Sequence, residues 1–417
     1  MLISLRGIHE KMNNFWLGVL VITTLIGPLV YLGFASLYHF VVLALLLMVL
    51  YKGVNTAQFK TEIMLFLVLW LAEAVISVVW APNKTMALQY VYYIFLIFSI
   101  CILFHCYLSK DNLTAFSQFM VVVLFICNLI AVWEMYSGNH LVEGYLSDPV
   151  RLRLLMFVPG GFYFNPNDFA TFIIQALPFS LMCISSKKIP IRIMAIGNFI
   201  LSIVTVCATQ SRTQMIIISM MYVFFILVFN KKALLKYGTV LTVVAIVLYF
   251  VYSGFRDVIN AAIESLSEGS ILSSATTTGA SLNIRLNLLK NAAIILYDTL
   301  GFGIGAGCHR AVMEAYSSQY YNTSDIVIVH NLAAEIFVDY GVIVGIVFLI
   351  AIYRSCFQLI RIYKKNTDSD VRLLAIMLAF SLGIFIFCGV SSSSILQISS
   401  LWVTFCFASQ FIKLYRA

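Results

Sequence analysis

Val329-His330-Asn331-Leu332-Ala333-Ala334-Glu335-Ile336-Phe337-Val338-Asp339-Tyr340-Gly341 is the point at which a long polar segment meets an apolar run continuing to about residue 353. A run of about 20 apolar residues is long enough to cross about 30 Å of hydrocarbon as a helix. The stretch therefore reads as the entry of a membrane-spanning helix. A histidine and an asparagine stand at its mouth, and two carboxylates lie inside it. Asn331, Glu335 and Asp339 follow at i, i+4 and i+8, a single stripe that descends roughly 12 Å along the helix. Ionisable groups at depth face the protein interior and mark function by default. The structural alternative is that Glu335 and Asp339 orient neighbouring helices through buried hydrogen bonds. His330 taken alone reads as an interface histidine with its hydrogen bonds satisfied rather than as a catalytic group.

The composition agrees with that entry point. The chain has 417 residues, 62% of them hydrophobic and 11% charged, with 33 Phe and 22 Tyr. Soluble domains carry about 25% charged residues, so lipid is the solvent for most of this chain. The net charge of +8 then serves membrane orientation rather than nucleic-acid binding. Nine cysteines fall mostly inside apolar runs and show neither disulfide nor metal spacing. The first apolar run is too long for a cleavable signal and lacks a small-residue cleavage site, so it reads as an anchor.

Hydropathy gives about twelve spans, near 15–33, 36–51, 63–81, 88–108, 115–136, 167–186, 191–209, 212–230, 238–254, 332–353, 372–390 and 395–412. The fold class is therefore an all-α integral membrane protein, a single polytopic domain over 1–417. With both termini in the cytoplasm, 18 of the 26 Lys and Arg lie on the cytoplasmic side, as the positive-inside rule requires. Two extracytoplasmic segments are too long for turns: 137–166, and a large loop, 255–331, between helices 9 and 10. The large loop holds a Ser/Thr/Ala-rich link at 270–281 and a helix near 282–298.

On that helix Asn283, Asn287, Lys290 and Asn291 share one side, while Arg285 lies among Leu288, Leu289, Ala292 and Leu296. An arginine on an apolar face either snorkels to a headgroup or meets an anion that offsets its desolvation. Arg212, in Thr209-Gln210-Ser211-Arg212-Thr213-Gln214, stands at the outer junction of helices 7 and 8 beside Ser211. It reads as an interfacial anchor or as a phosphate ligand, guanidinium being suited to bidentate phosphate binding. Two such arginines outside the membrane suggest one anionic lipid-linked ligand. Gly160-Gly161-Phe162-Tyr163-Phe164-Asn165-Pro166-Asn167-Asp168 is a turn and helix start, and Asn165 and Asn167 are also suited to recognising hydroxyls. Gly301-Phe302-Gly303-Ile304-Gly305-Ala306-Gly307 follows no strand, so it reads as a tight turn with close backbone approach rather than a dinucleotide loop. Gly341 and Gly345 read as a small-residue face for helix packing. Asp368-Ser369-Asp370 lies in a cytoplasmic loop and reads as a helix cap, so no metal site is expected.

Together these motifs resemble the O-antigen ligase and polymerase superfamily of bacterial envelope glycosyltransferases over most of the chain. The carriers are Asn165-Pro166-Asn167, Gln210-Ser211-Arg212-Thr213, the Arg285 helix running into the glycine turn, and His330-Asn331 followed by Asp339-Tyr340-Gly341. Asp339 stands where the family often has Glu. The resemblance implies a fold similar to GT-C-type glycosyltransferases and a metal-independent, inverting transfer without cofactor, at the outer face of the bacterial cytoplasmic membrane. The implied donor is a glycan on undecaprenyl pyrophosphate, and the implied acceptor is a second glycan or lipid A-core. Membrane lipids, a flippase and a chain-length regulator are further expected partners, and nucleic acid is not one. In that scheme Arg212 and Arg285 bind the pyrophosphate, and His330 is the general base. Asn165, Asn167, Arg153, Ser211, Asn331, Glu335 and Asp339 bind substrate or support the site. The resemblance favours a polymerase of O-antigen, capsule or another surface polysaccharide over a ligase. A polysaccharide flippase would need charges spread through both membrane halves, whereas the polar cluster here is external.

Overall fold

The computed structural model describes residues 2–32, 35–53, 59–142, 156–229, 277–389 and 395–416. The expected ninth span at 238–254 and Arg153 lie outside the described residues. Within them the chain forms α1 (Leu2–Ile26), α2 (Leu37–Lys52), α3 (Glu62–Ser77), α4 (Lys84–Tyr107), α5 (Leu113–Ser137), α6 (Pro166–Cys183) and α7 (Ile189–Ala208). After these come α8 (Arg212–Phe229), α9 (Thr277–Asp298), α10 (His309–Ala315), α11 (Leu332–Lys365), α12 (Ser369–Cys388) and α13 (Val403–Tyr415). A two-residue antiparallel pair, Tyr31–Leu32 with Ala35–Ser36, bridges α1 and α2.

Five of these helices, α4, α5, α7, α11 and α12, are long and apolar enough to cross a membrane, and Met12–Ile26, Leu37–Tyr51 and Arg212–Val228 are shorter apolar helices. These are features of an integral membrane protein. Helix starts follow local chemistry, because an Ncap side chain satisfies an otherwise orphaned N–H. Thr61 accepts from the Met64 N–H at 3.2 Å, Asn83 from Met86 at 3.0 Å and Asn165 from Asn167 at 2.9 Å. Asp368 accepts from Asp370 at 2.8 Å and Val371 at 3.2 Å, which is the cap expected of the Asp-Ser-Asp triplet.

Three elements differ from the hydropathy reading. The last expected span opens as two 3-10 turns, Ile395–Gln397 and Ser399–Trp402, and becomes α-helical only at Val403. The turns are tied by side chains: the Trp402 indole donates to the Ile395 carbonyl at 3.0 Å, and the Gln397 amide donates to the Tyr90 hydroxyl at 2.8 Å. Helix α9 begins at Thr277, inside the stretch read as a link. Helix α11 extends past 353 to Lys365 and is interrupted at Gly341.

The chain divides into two compact units. The first comprises Met1–Phe116, Ala275–Lys365 and Ser392–Ala417. Its core is aromatic, with α3 packed on α11 and α4. Trp70 meets Phe66, Tyr340 and Trp402 at ring-centroid distances of 5.1, 5.6 and 5.6 Å. The second comprises Ser117–Ser274 and Asn366–Ser391, where α6 packs on α7, α8 and α12. Buried amides join helices there: Asn198 donates to the Val121 carbonyl and the Ser180 hydroxyl, both at 2.9 Å, and Asn128 donates to Asn198 at 3.2 Å. In a medium without water such groups must be satisfied internally.

Candidate active site

In the first unit the decisive feature is the interruption of α11. Gly341 has φ 83° and ψ 173°, so 332–340 and 342–365 are two helices meeting at a break. A break strands backbone groups that cost several kcal/mol each if left unpaired in hydrocarbon. The 301–307 turn supplies the missing partners. Ile304 N–H donates to the Val338 carbonyl at 2.8 Å, and Gly305 N–H to the Asp339 carbonyl at 3.0 Å. Val342 N–H donates to the Gly301 carbonyl at 2.8 Å. The approach is so close that a Cβ at Gly303 would lie 2.5 Å from the Gly341 nitrogen. On its other side the turn is held by Trp80, whose indole donates to the Gly303 carbonyl at 3.1 Å, and by Ser77, which accepts from Ala306 at 3.1 Å. The tight turn with close backbone approach is thus present. Gly341, however, is the break itself rather than part of a packing face, and Gly345 lies against the ring of Phe337 across it.

A buried charged cluster sits at the break. Asp339 is fully buried and accepts twice from one residue: His309 N–H at 3.0 Å and His309 Nδ1 at 2.8 Å. Burial of His309 works against its charged form, but the charge of Asp339 and its hydrogen bond, with help from Glu335, outweigh burial and Arg310. The net result is a His309 pKa above the ordinary imidazole value. Glu335 is also buried, one helical turn above Asp339, and both carboxylates act electrostatically on Tyr90 of α4, as does Arg310.

His330 precedes α11 with φ 51°, a left-handed conformation uncommon in a residue with a side chain, and is half-buried. Asn331 caps the helix, its side-chain oxygen accepting from Ala334 N–H at 3.1 Å. The Arg285 helix, α9, rests on this entrance: Leu288, Ala292 and Ile295 pack with Val329 and Val338. The side of α9 read as polar is partly buried too. Asn291 is fully buried and pairs with the backbone of Tyr321 in both directions, at 3.0 and 2.9 Å, while Asn287 donates to the Asn322 carbonyl at 2.8 Å. The buried face of α9 is therefore turned toward its asparagines, and Arg285 is left at its edge, half-buried.

The second unit holds Asn165, Asn167, Ser211 and Arg212. Asn165 is buried as the α6 cap, and Asn167 is half-buried, its carbonyl accepting from Thr171 at 2.9 Å. Ser211 is buried and Arg212 is exposed at the start of α8, just after Gln210 with its φ of 57°. Below them Gln214 donates to Thr171 at 2.9 Å and to the Cys388 carbonyl at 3.1 Å, fixing α8 on α6 and α12. Glu134 is fully buried and accepts from Gly160 and Gly161 at 2.8 Å and from Leu141 at 3.1 Å. It thereby shapes the turn leading to Asn165.

Sequence reasoning missed His309 and Glu134. The partner of His309 on α11, Asp339, is 30 residues away in sequence, and a lone His after a glycine turn carries no spacing signal. Glu134 sits near the end of an apolar run, where one carboxylate could have prompted a search for backbone donors.

The model of the O-antigen ligase family, Wzy_C, matches residues 197–349. That segment contains Arg212, Arg285, the glycine turn, His309, His330 and Asp339. The chain is also 24% identical over 350 residues to the teichuronic acid biosynthesis protein TuaE of Bacillus subtilis (strain 168), covering 82% of this chain and 69% of that protein. Together the two matches support a likeness to the O-antigen ligase and polymerase superfamily, and the long apolar helices are those of a membrane protein.

Proposed function

We propose that the chain is a glycosyltransferase that polymerises undecaprenyl-pyrophosphate-linked repeat units into a surface polysaccharide, on the outer face of the cytoplasmic membrane. The observation that carries this is the family match over 197–349, which takes in Arg212, Arg285 and His330 in one segment. The acceptor hydroxyl oxygen attacks the anomeric carbon of the donor and inverts it. The bond from that carbon to the pyrophosphate oxygen breaks, and the electron pair leaves on the pyrophosphate. His330 takes the hydroxyl proton, and Arg212 and Arg285 carry the charge on the leaving group. Histidine titrates near neutrality and so suits base work. Fixed guanidinium groups suit an oxyanion that develops only as the bond breaks. Asn165, Asn167, Ser211, Arg153, Asn331 and Glu335 are the residues proposed to support substrate, around a twelve-span framework similar to GT-C enzymes.

The test is turnover of a defined undecaprenyl-pyrophosphate glycan by the purified protein, read as undecaprenyl pyrophosphate released. His330→Ala should lower the rate by about a hundredfold or more, and an unchanged rate removes His330 as base. The family's description as an O-antigen ligase favours a second reading, transfer to lipid A-core. The product separates the two: a ladder on undecaprenyl pyrophosphate, or glycan on lipid A-core. The name of the Bacillus relative, a teichuronic acid biosynthesis protein, favours polymer synthesis.

A further inference from the structure

His309 lies in none of the roles above, yet it is fully buried and bound twice to the one carboxylate that stands at the break in α11. The residues preceding it, 301–307, are the hydrogen-bond partners of that break. The two connections are independent. The turn pairs with the carbonyls of Val338 and Asp339, and His309 pairs with the Asp339 side chain. Together they hold 332–340, the half-helix that begins just after His330 and carries Glu335.

We propose that His309 is a positioning residue for the reaction proposed above: as the charged imidazolium it locks the 301–307 turn into the break of α11 and so fixes His330 and Glu335. The proposal rests on that functional reading for the word reaction, but the lock itself does not. The charged groups that act on His309 are Asp339 and Glu335 from α11 and Arg310 beside it, and the same two carboxylates act on Tyr90 of α4 and Tyr340 of α11. Two buried carboxylates, Asp339 at the break and Glu335 in the half-helix before it, favour a cation there. A buried carboxylate is costly unless paired and hydrogen-bonded, and His309 supplies both to Asp339. The His309 Nε2 has no hydrogen-bond partner among the described residues. The ring is therefore held from its Nδ1 side alone, and that bond is the side-chain part of the lock.

The experiment uses the full chain in phospholipid nanodiscs, with His309→Asn and His309→Ala. Asparagine keeps a neutral donor near the position of Nδ1 and removes the charge; alanine removes both. The first readout needs no substrate. Hydrogen exchange of peptides covering 301–307 and 338–342 should be at least about tenfold faster in His309→Ala than in wild type, and intermediate in His309→Asn. Exchange equal to wild type in His309→Ala overturns the lock. The second readout is turnover of undecaprenyl-pyrophosphate glycan against pH. His309→Ala should lower kcat by roughly a hundredfold, the scale of a 1 Å misplacement, with little change in KM. The wild-type fall in kcat with rising pH, as His309 loses its proton, should be absent from His309→Asn. An unaltered alkaline limb in His309→Asn overturns the charged lock. A wild type that turns over no lipid-linked glycan overturns the functional reading instead, and the exchange arm then decides on His309 alone.

Discussion

Asp339 and His309 show how much can rest on one pair. Both side chains are fully buried, and the carboxylate accepts from the backbone and the ring of the same residue. Asp339→Ala removes both acceptors and leaves a buried cation unpaired, a loss of about 3–5 kcal/mol. The expected outcome is a lower Tm in the detergent-solubilised protein, with Asp339→Asn, which keeps an acceptor, falling between the two. At Arg212 the expectation concerns chemistry rather than stability. Arg212→Lys keeps the charge but cannot reproduce a bidentate fork, so turnover should fall by roughly tenfold or more. Wild-type turnover in that variant would reduce Arg212 to an interfacial anchor. The cap at Asp368 was legible in the sequence because capping is local, decided within three residues. The His309–Asp339 pair was not, because its members are 30 residues apart and nothing in either local pattern names the other.

At the scale of the element, α11 and the 301–307 turn are one structure in two pieces. Gly303 has φ 86°, and a Cβ there would lie 2.7 Å from the Asp339 carbonyl oxygen. Gly303→Ala combines about 1–3 kcal/mol of backbone strain with loss of the close approach, so Tm should fall and the exchange of 338–342 should rise. Gly383→Ala is the control: its Cβ would meet nothing within 4 Å inside α12, so Tm should hold or rise. Helix α9 makes a second test. Asn291→Ala should cost about 1–3 kcal/mol, because it strips both hydrogen bonds from the backbone of Tyr321. Hydropathy finds apolar runs well, so most described helices were legible, including α11 as a span. The break was not, because its stability comes from carbonyl and amide partners on a turn far upstream. The burial of Asn291 was not legible for the same reason: a helical wheel sorts residues by polarity, and here asparagine side chains tie down the backbone of Tyr321 and Asn322.

For the whole molecule, the raised pKa of His309 sets a sign for the response to pH. A group whose folded pKa lies above its unfolded one, about 6.5 for His, adds stability that is complete below the unfolded value. That stability is lost as pH rises through the folded value. Wild-type Tm should therefore decline across that interval, with a shallower decline in His309→Asn. A parallel decline in both would assign the pH dependence to other groups. The central claim, that this membrane protein transfers glycans from a lipid pyrophosphate, is tested most directly by one assay: purified wild-type and His330→Ala protein in nanodiscs, given undecaprenyl-pyrophosphate repeat units. The account predicts that wild type releases undecaprenyl pyrophosphate and builds a glycan ladder, with release reduced about a hundredfold or more in His330→Ala. Equal release from both proteins, or none from wild type with donor and acceptor supplied, would contradict it.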